Sequence, residues 1–257
     1  MCKDGNRRLT PDSKLVAEVV PSPTHGPRIG WTRPDMIVLH YTGMADGEMA
    51  LERLCMPESR VSSHYVVLED GRIVQCVAEA RRAWHAGVSS WEGETDINSR
   101  SIGIEIVNPG HGLGYPDFAE AEVAAVIALC GDILARHPIR ADRVVAHSDV
   151  APDRKEDPGE KFPWARLHAA GIGHWVEPVA IRDGHALVSG DRGADVLRLQ
   201  EALAAYGYGV QATGEFDGAT RDVVAAFQRH FRPALVDGRA DRSTIETLGR
   251  LLAARSW

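Results

Sequence analysis

The stretch from Val144 to Trp164 constrains this chain more than any other. It reads V-V-A-H-S-D-V-A-P-D-R-K-E-D-P-G-E-K-F-P-W, an apolar run that stops at His147 and passes into a loop rich in proline and glycine. Such a run is a short buried strand, and such a loop is a place where the chain turns back. The loop carries Lys155 and Asp157. An imidazole and a carboxylate suit a zinc ion, and an ammonium group beside them suits a developing negative charge. His147 and Asp157 are ten residues apart, with Pro152 and Pro158 between and beyond them, so a folded-back loop brings both to one ion. Lys155 precedes Asp157 by two positions, which in an extended segment sends both side chains the same way.

Two further apolar runs supply the remaining donors. In Met36 to Tyr41 the alternation places Ile37, Leu39 and Tyr41 on one face and Met36, Val38 and His40 on the other. In Ser101 to Asn108, Ile102, Ile104 and Ile106 share one face, and Gly103, Glu105 and Val107 share the other. A glutamate inside a strand is costly unless it is paired or exposed. Glu105 is therefore either a salt-bridged carboxylate on a sheet face or a general base with a raised pKa. A single histidine at a strand end is more often structural than functional, and this chain has eleven histidines. The combination carries more weight: two histidines, one aspartate and a spare glutamate are the components of a zinc hydrolase with an open coordination position.

The rest of the chain organises around these runs. Residues from about Leu9 to Thr32 are proline-rich and aperiodic, and read as an extended arm lying over the domain. Gly47 to Leu54 reads as a short helix. Ser63 to Leu68 and Arg72 to Val77 flank Glu69-Asp70-Gly71, a hairpin signal. Asp117 to His137 reads as a helix, with Asp117 and Glu120 as its capping pattern and Val123, Val126, Ile127, Cys130, Ile133 and Leu134 on one face. Strands interleaved with helices predict an α/β domain with a mixed sheet.

Composition shifts near Trp175 to Ile181, where Glu177-Pro178 is a plausible linker. Beyond it, three helical patterns follow: Asp195 to Tyr206, Thr220 to Phe231, and Ser243 to Leu252 with Ile245, Leu248 and Leu251 on its apolar side. The expected organisation is a domain over 1–178, arm included, and a small three-helix domain over 179–257.

A formal charge of -7 argues against nucleic acid as a partner, and no window approaches the roughly 18 apolar residues a membrane span needs. The polar start of the chain leads into no apolar segment, and the four cysteines form no C-x-x-C pair. Both observations favour a cytoplasmic protein. Cys2 stands where a lipoprotein begins after its signal is removed, so a periplasmic or lipid-anchored protein is the alternative.

At this point the motifs match a family. The chain resembles the zinc-dependent N-acetylmuramoyl-L-alanine amidases of the AmpD/AmiD type, which share a fold with T7-type lysozyme and the peptidoglycan recognition proteins. The matching segments are I-V-L-H-Y-T (Ile37 to Thr42), V-S-S-H-Y (Val61 to Tyr65), A-W-H-A-G-V-S-S (Ala83 to Ser90), S-I-G-I-E-I (Ser101 to Ile106) and Val144 to Trp164 with its R-K-x-D-P-G core. The continuation through Gly171 to Trp175 looks most like AmiD-type members. Gly193 to Leu203, Gly214 to Thr220, Ala225 to Gln228 and Asp237 to Asp241 resemble the common three-helix peptidoglycan-binding domain.

The resemblance implies Zn2+ held by His40, His147 and Asp157, with Glu105 as the catalytic glutamate and Lys155 near the oxyanion. It implies Tyr41, His64, Trp84, His85 and Ala86 along the substrate groove. The activity it implies is hydrolysis of the amide between N-acetylmuramic acid, including 1,6-anhydro forms, and the L-alanine of the stem peptide, by a monomer acting on muropeptides in peptidoglycan recycling or turnover. The alternative is a non-catalytic peptidoglycan recognition protein. Such proteins typically lack a complete metal triad, whereas all three ligands are present here.

Overall fold

The structure, a computed structural model, describes residues 9–255. The start of the chain over 1–8, with Cys2, lies outside the described residues. In chain order the larger unit contains β1 (Val16–Val19), β2 (His25–Pro27), β3 (Met36–Tyr41), α1 (Gly47–Cys55), β4 (Tyr65–Val67), β5 (Ile73–Gln75), β6 (Arg81–Ala83), α2 (Ile97–Arg100) and β7 (Ser101–Ile106). It continues with α3 (Glu120–Arg136), β8 (Val144–Ala146), α4 (His147–Val150) and α5 (Trp164–Ala169). The C-terminal unit contains β9 (Ala186–Leu187), α6 (Ala194–Tyr206), α7 (Gly218–Phe231), β10 (Ala240–Asp241) and α8 (Arg242–Ala254).

A mixed six-stranded sheet, in the order β1-β5-β4-β7-β3-β8, carries the larger unit. The pairs β4–β7, β7–β3 and β3–β8 are parallel, and the β4–β5 hairpin supplies the antiparallel pair. Register decides where the chemistry falls. Met36 lies opposite Ser101 and His40 opposite Glu105, while Leu39 lies opposite Ala146, the residue before His147. His40, Glu105 and His147 therefore leave the sheet at one edge, the carboxyl ends of parallel strands, where open α/β sheets place their ligands.

The alternation along the strands separates two cores. Ile37, Leu39, Ile102, Ile104 and Ile106 face Val126, Leu129, Cys130 and Ile133 of α3 and Leu167 of α5. On the other face, Met36, Val38, Val145 and Val150 join Leu199, Leu203, Phe227 and Leu248 of the C-terminal helices in one continuous cluster. The C-terminal unit thus covers the β3 and β8 part of the sheet's second face, and α1 packs over Val66, Val74 and Val107 on the rest. Its connection is pinned as well: the Val179 amide donates to Thr247 Oγ1 at 3.0 Å, and Ser243 Oγ donates to the Val179 carbonyl at 2.6 Å.

Three local expectations need correction. The N-terminal arm does not merely lie over the domain: β1 adds to the sheet edge, parallel to β5, and β2 pairs antiparallel with β6. Arg28 ties it down, donating to the carbonyls of Glu79 (2.7 Å), Ser99 (2.9 Å) and Ser101 (3.0 Å). Asp117 does not cap α3. The chain stays extended to Ala119, whose amide donates to the Glu122 carboxylate at 2.8 Å, and Asp117 pairs instead with Lys161. Ile245 is 42% exposed, because α8 buries a narrow stripe through Thr244, Thr247, Leu248 and Leu251 that passes it by.

Candidate metal centre and its cavity

His40 ends the interior of β3, His147 opens α4, and the loop after α4 returns Asp157, with the Ser148 amide donating to the Asp157 carbonyl at 3.0 Å. Three atoms converge. His40 Nδ1 and His147 Nδ1 are 2.9 Å apart, and Asp157 Oδ2 lies 3.1 Å from the first and 2.9 Å from the second. All three residues are buried. Donors about 2.0–2.1 Å from a shared tetrahedral ion stand roughly 3.3 Å from one another. The observed triangle is close to that size. Two imidazoles and one carboxylate brought this close in a largely buried site suit a shared positive charge, so the donor set fits a divalent cation.

The electrostatics agree. Burial, and next the His147 ring, push His40 down to about 4, which leaves it neutral with a lone pair to offer. Burial alone would raise the Asp157 carboxyl. The imidazoles of His147 and His40 outweigh burial and hold it far below the carboxylate range. The expectation that Lys155 and Asp157 point the same way is met by a turn rather than an extended segment, since the Lys155 amide donates back to the Ala151 carbonyl at 3.1 Å.

A cavity of about 270 Å³ opens over the triad, and Glu105, Lys155, Tyr41 and Trp84 line it beside the three donors. The Glu105 carboxylate makes no hydrogen bond or ion pair with another described residue. Burial first, and the Asp157 charge second, raise its carboxyl well above the ordinary value, while Lys155 opposes them. Tyr41 stands at the rim, its hydroxyl 3.0 Å from His111 Nδ1. Trp84 is 36% exposed and faces the opening.

Of the residues expected along the groove, two lie outside the cavity lining and a third, His85, reaches it only with part of its ring. His64 is fully buried, takes the Gly103 amide on Nδ1 at 3.0 Å, and does not line the cavity. Ala86 is also fully buried and outside the lining. His85 presents part of its ring to the cavity, but its Nδ1 lies 2.9 Å from His40 Nε2 and its Nε2 lies 3.1 Å from Ser101 Oγ. Burial, then the His40 ring, keep His85 well below the usual histidine range. Residues that sequence reasoning passed over complete the surroundings. Asn98 accepts from the amides of His85 and Ala86 at 3.0 and 2.9 Å, and Arg154 grips the carbonyls of Ala86 and Val88. A buried asparagine carries no pattern of its own, and Arg154 was legible only as part of a motif.

Comparison with known proteins accords with this geometry. Residues 30–160 match the family described as N-acetylmuramoyl-L-alanine amidase, and residues 192–248 match the family described as a peptidoglycan binding domain. The chain is 41% identical over 226 residues to N-acetylmuramoyl-L-alanine amidase AmiD of Escherichia coli (strain K12), covering 83% of this chain and 80% of that protein. It is 34% identical over 170 residues to 1,6-anhydro-N-acetylmuramyl-L-alanine amidase AmpD of Enterobacter cloacae, covering 60% of this chain and 89% of that protein. The solved complex of E. coli AmiD with anhydro-N-acetylmuramic acid-L-Ala-D-gamma-Glu-L-Lys superposes with a TM-score of 0.73 at 39% identity, over 91% of this chain and 92% of that one. AMPDH3 from Pseudomonas aeruginosa superposes with a TM-score of 0.71 at 31% identity, over 98% of this chain and 96% of that one. A family match through residues 30–160, together with this identity across most of a relative's length, makes the chain a member of the N-acetylmuramoyl-L-alanine amidase family.

Proposed function

We propose that this chain hydrolyses the amide joining the lactyl group of N-acetylmuramic acid, including its 1,6-anhydro form, to the L-alanine of the stem peptide, with zinc as its metal. The observation that carries the reading is the convergence of His40, His147 and Asp157 in one open cavity with Glu105, a carboxylate that no other described residue satisfies. The relatives support the substrate: AmpD is named for the 1,6-anhydro compound, and AmiD was solved with an anhydro-muramyl peptide as substrate. Two imidazoles and a carboxylate, with room for a fourth ligand, are a donor set of catalytic zinc.

A zinc ion bound there supplies Lewis acidity toward the amide carbonyl and toward a water molecule. Glu105 accepts the proton of the attacking water and delivers it to the leaving nitrogen as the C–N bond breaks and the new C–O bond stays. Burial raises its pKa above the ordinary carboxylate value, which suits a group that must both take and give a proton. The Lys155 ammonium stabilises the negative charge that grows on the carbonyl oxygen. Tyr41 and Trp84 flank the opening and position the muramyl peptide.

The C-terminal unit, read with the linker as 179–257, contributes affinity for peptidoglycan, and the chain acts as a monomer. The test is mass spectrometry of products from an anhydro-muropeptide and an intact muropeptide, each with and without a chelator. Chelator-sensitive release of peptide beginning at L-alanine is the expected result. Zinc bound with no release from either substrate would overturn the proposal in favour of a recognition protein.

A further inference from the structure

We propose that His85 and Ala86 form the outer shell of the metal centre: His85 accepts the Nε2 proton of His40, the Ala86 carbonyl accepts the Nε2 proton of His147, and together they aim both ligands at the ion. The inference rests on the reading of His40, His147 and Asp157 as a metal site, and it moves His85 and Ala86, though not Trp84, from substrate contact to ligand positioning.

The hydrogen bonds leave little freedom in where the protons lie. Ser101 Oγ is 2.7 Å from the Ile97 carbonyl, which can only accept, so the single hydroxyl proton goes there. Ser101 Oγ must then accept from His85 Nε2, 3.1 Å away. A neutral imidazole protonated on Nε2 keeps a lone pair on Nδ1, and that lone pair faces His40 Nε2 at 2.9 Å. His40 therefore carries its proton on Nε2 and turns the Nδ1 lone pair toward His147 and Asp157. The second ligand is settled more simply. His147 Nε2 lies 3.2 Å from the Ala86 carbonyl, again an obligate acceptor, so its Nδ1 is also the free donor atom. Both nitrogens of His85 are thus occupied within the protein, which leaves it no polar atom for a substrate.

The two residues are themselves held. Both of their amides converge on Asn98 Oδ1, and Arg154 from the loop that bears Asp157 holds the Ala86 carbonyl. The strand behind them is cut away to fit. A Cβ on Gly103 would stand 2.5 Å from the His85 ring, so no larger residue at 103 admits the ring in this position. The rings of His40 and His85 meet edge to face, centroids 5.0 Å apart at 88°. Partners of this kind fix the tautomer and orientation of metal-binding histidines, and their loss typically costs ~10–100-fold in metal affinity.

The test compares the parent protein with His85→Leu, His85→Asn and Ser101→Ala. The readouts are zinc affinity by competition with a chromophoric chelator, the visible spectrum of the Co2+-loaded protein, and the protonated nitrogen of His40 by 15N NMR. His85→Leu should bind zinc ~10–100-fold more weakly and shift the Co2+ spectrum. His85→Asn, whose side-chain oxygen falls near the position of Nδ1, should recover most of that affinity, and Ser101→Ala should lose a few-fold. Parent-like zinc affinity and Co2+ spectrum in folded His85→Leu overturn the proposal, as does a rise in KM alone with affinity unchanged. Should His85→Leu not fold, unchanged affinity and an unchanged His40 tautomer in Ser101→Ala overturn it instead. A parent protein that binds no zinc refutes the metal-site reading itself, which separates the two failures.

Discussion

His230, in the last turn of α7, donates its Nδ1 proton to the Asp149 carboxylate at 2.6 Å across the seam between the two units, with both side chains buried. Asp149 stands two residues after His147. The Tyr208 hydroxyl donates to it at 2.7 Å, and the Ala146 amide at 2.8 Å. The carboxylate that caps the first turn of α4 is therefore satisfied largely by the C-terminal unit. The His230 ring is sandwiched between Trp164 and Phe231, with centroids 3.7 Å away on each side.

His230→Ala should accordingly be a core lesion rather than a surface one. It removes a donor from a buried carboxylate and opens an aromatic stack, and the lost partner alone costs about 1–3 kcal/mol. Urea unfolding at neutral pH reads the loss. A change below ~1 kcal/mol would mean the seam contributes little. Truncation after Pro178 should fare worse, because it bares Met36, Val38, Val145 and Val150.

Metal binding and turnover should separate by residue. Asp157→Ala removes one corner of the donor triangle and should lose zinc and activity together. Glu105→Gln leaves the triangle intact and should keep zinc while losing roughly 10²–10⁴ in kcat. Metal analysis beside kinetics decides it, and a Glu105→Gln variant with parental turnover removes Glu105 from the mechanism.

The pH profile should carry the mark of Glu105. A protonated carboxyl cannot accept the proton of water, so kcat/KM falls on the acid side as pH drops through its pKa. Burial and Asp157 raise that value above the ordinary 4.5 and Lys155 lowers it. Lys155→Met should thus move the acid limb to higher pH in addition to lowering kcat. A limb that stays put, or moves to lower pH, contradicts the assignment.

Away from the site, Glu79 makes stability acid-sensitive. Burial would raise this carboxyl, but hydrogen bonds from His137, Arg136 and Tyr65 bring it down to about 2 from 4.5. A folded pKa below the unfolded one contributes stability that is complete above about 4.5 and lost as pH falls toward about 2. The shift corresponds to about 3 kcal/mol. Glu79→Gln should lose stability of that order at pH 7, and its deficit against the parent should shrink between pH 4.5 and 3 in urea titrations.

Much of the fold and of the triad was legible because it depends on period and position. The alternation in Met36 to Tyr41 put His40 on the face opposite Ile37 and Leu39, and the structure keeps that division. The same holds for Glu105 against Ile102, Ile104 and Ile106. The C-terminal helices were visible through Val196, Leu199, Leu203, Val223, Val224 and Phe227, all buried. What stayed hidden depends on partners remote in sequence. Asp149 and His230 are 81 residues apart, and neither sits in a pattern that announces the other. The arm was read from its prolines, yet its short β1 gains its ladder from β5, a partner 57 residues further on at Val16 and Ile73. His85 and Ala86 share a motif with Trp84, and His64 shares one with Val61 and Ser62. Trp84, Val61 and Ser62 all line the cavity, and a motif does not say which neighbour turns inward.

The shared core behind β3 and β8 has a mechanical consequence. With Asp149 clasped by His230 and Glu156 by Arg229 at 3.0 Å, the C-terminal unit is bolted to the loop that presents Lys155 and Asp157. A swinging module on a tether would sample many bonds around its anchor point. A unit fixed in this way is a ruler: a ligand held on the C-terminal helices would lie at one set distance and angle from the cavity that Glu105 lines.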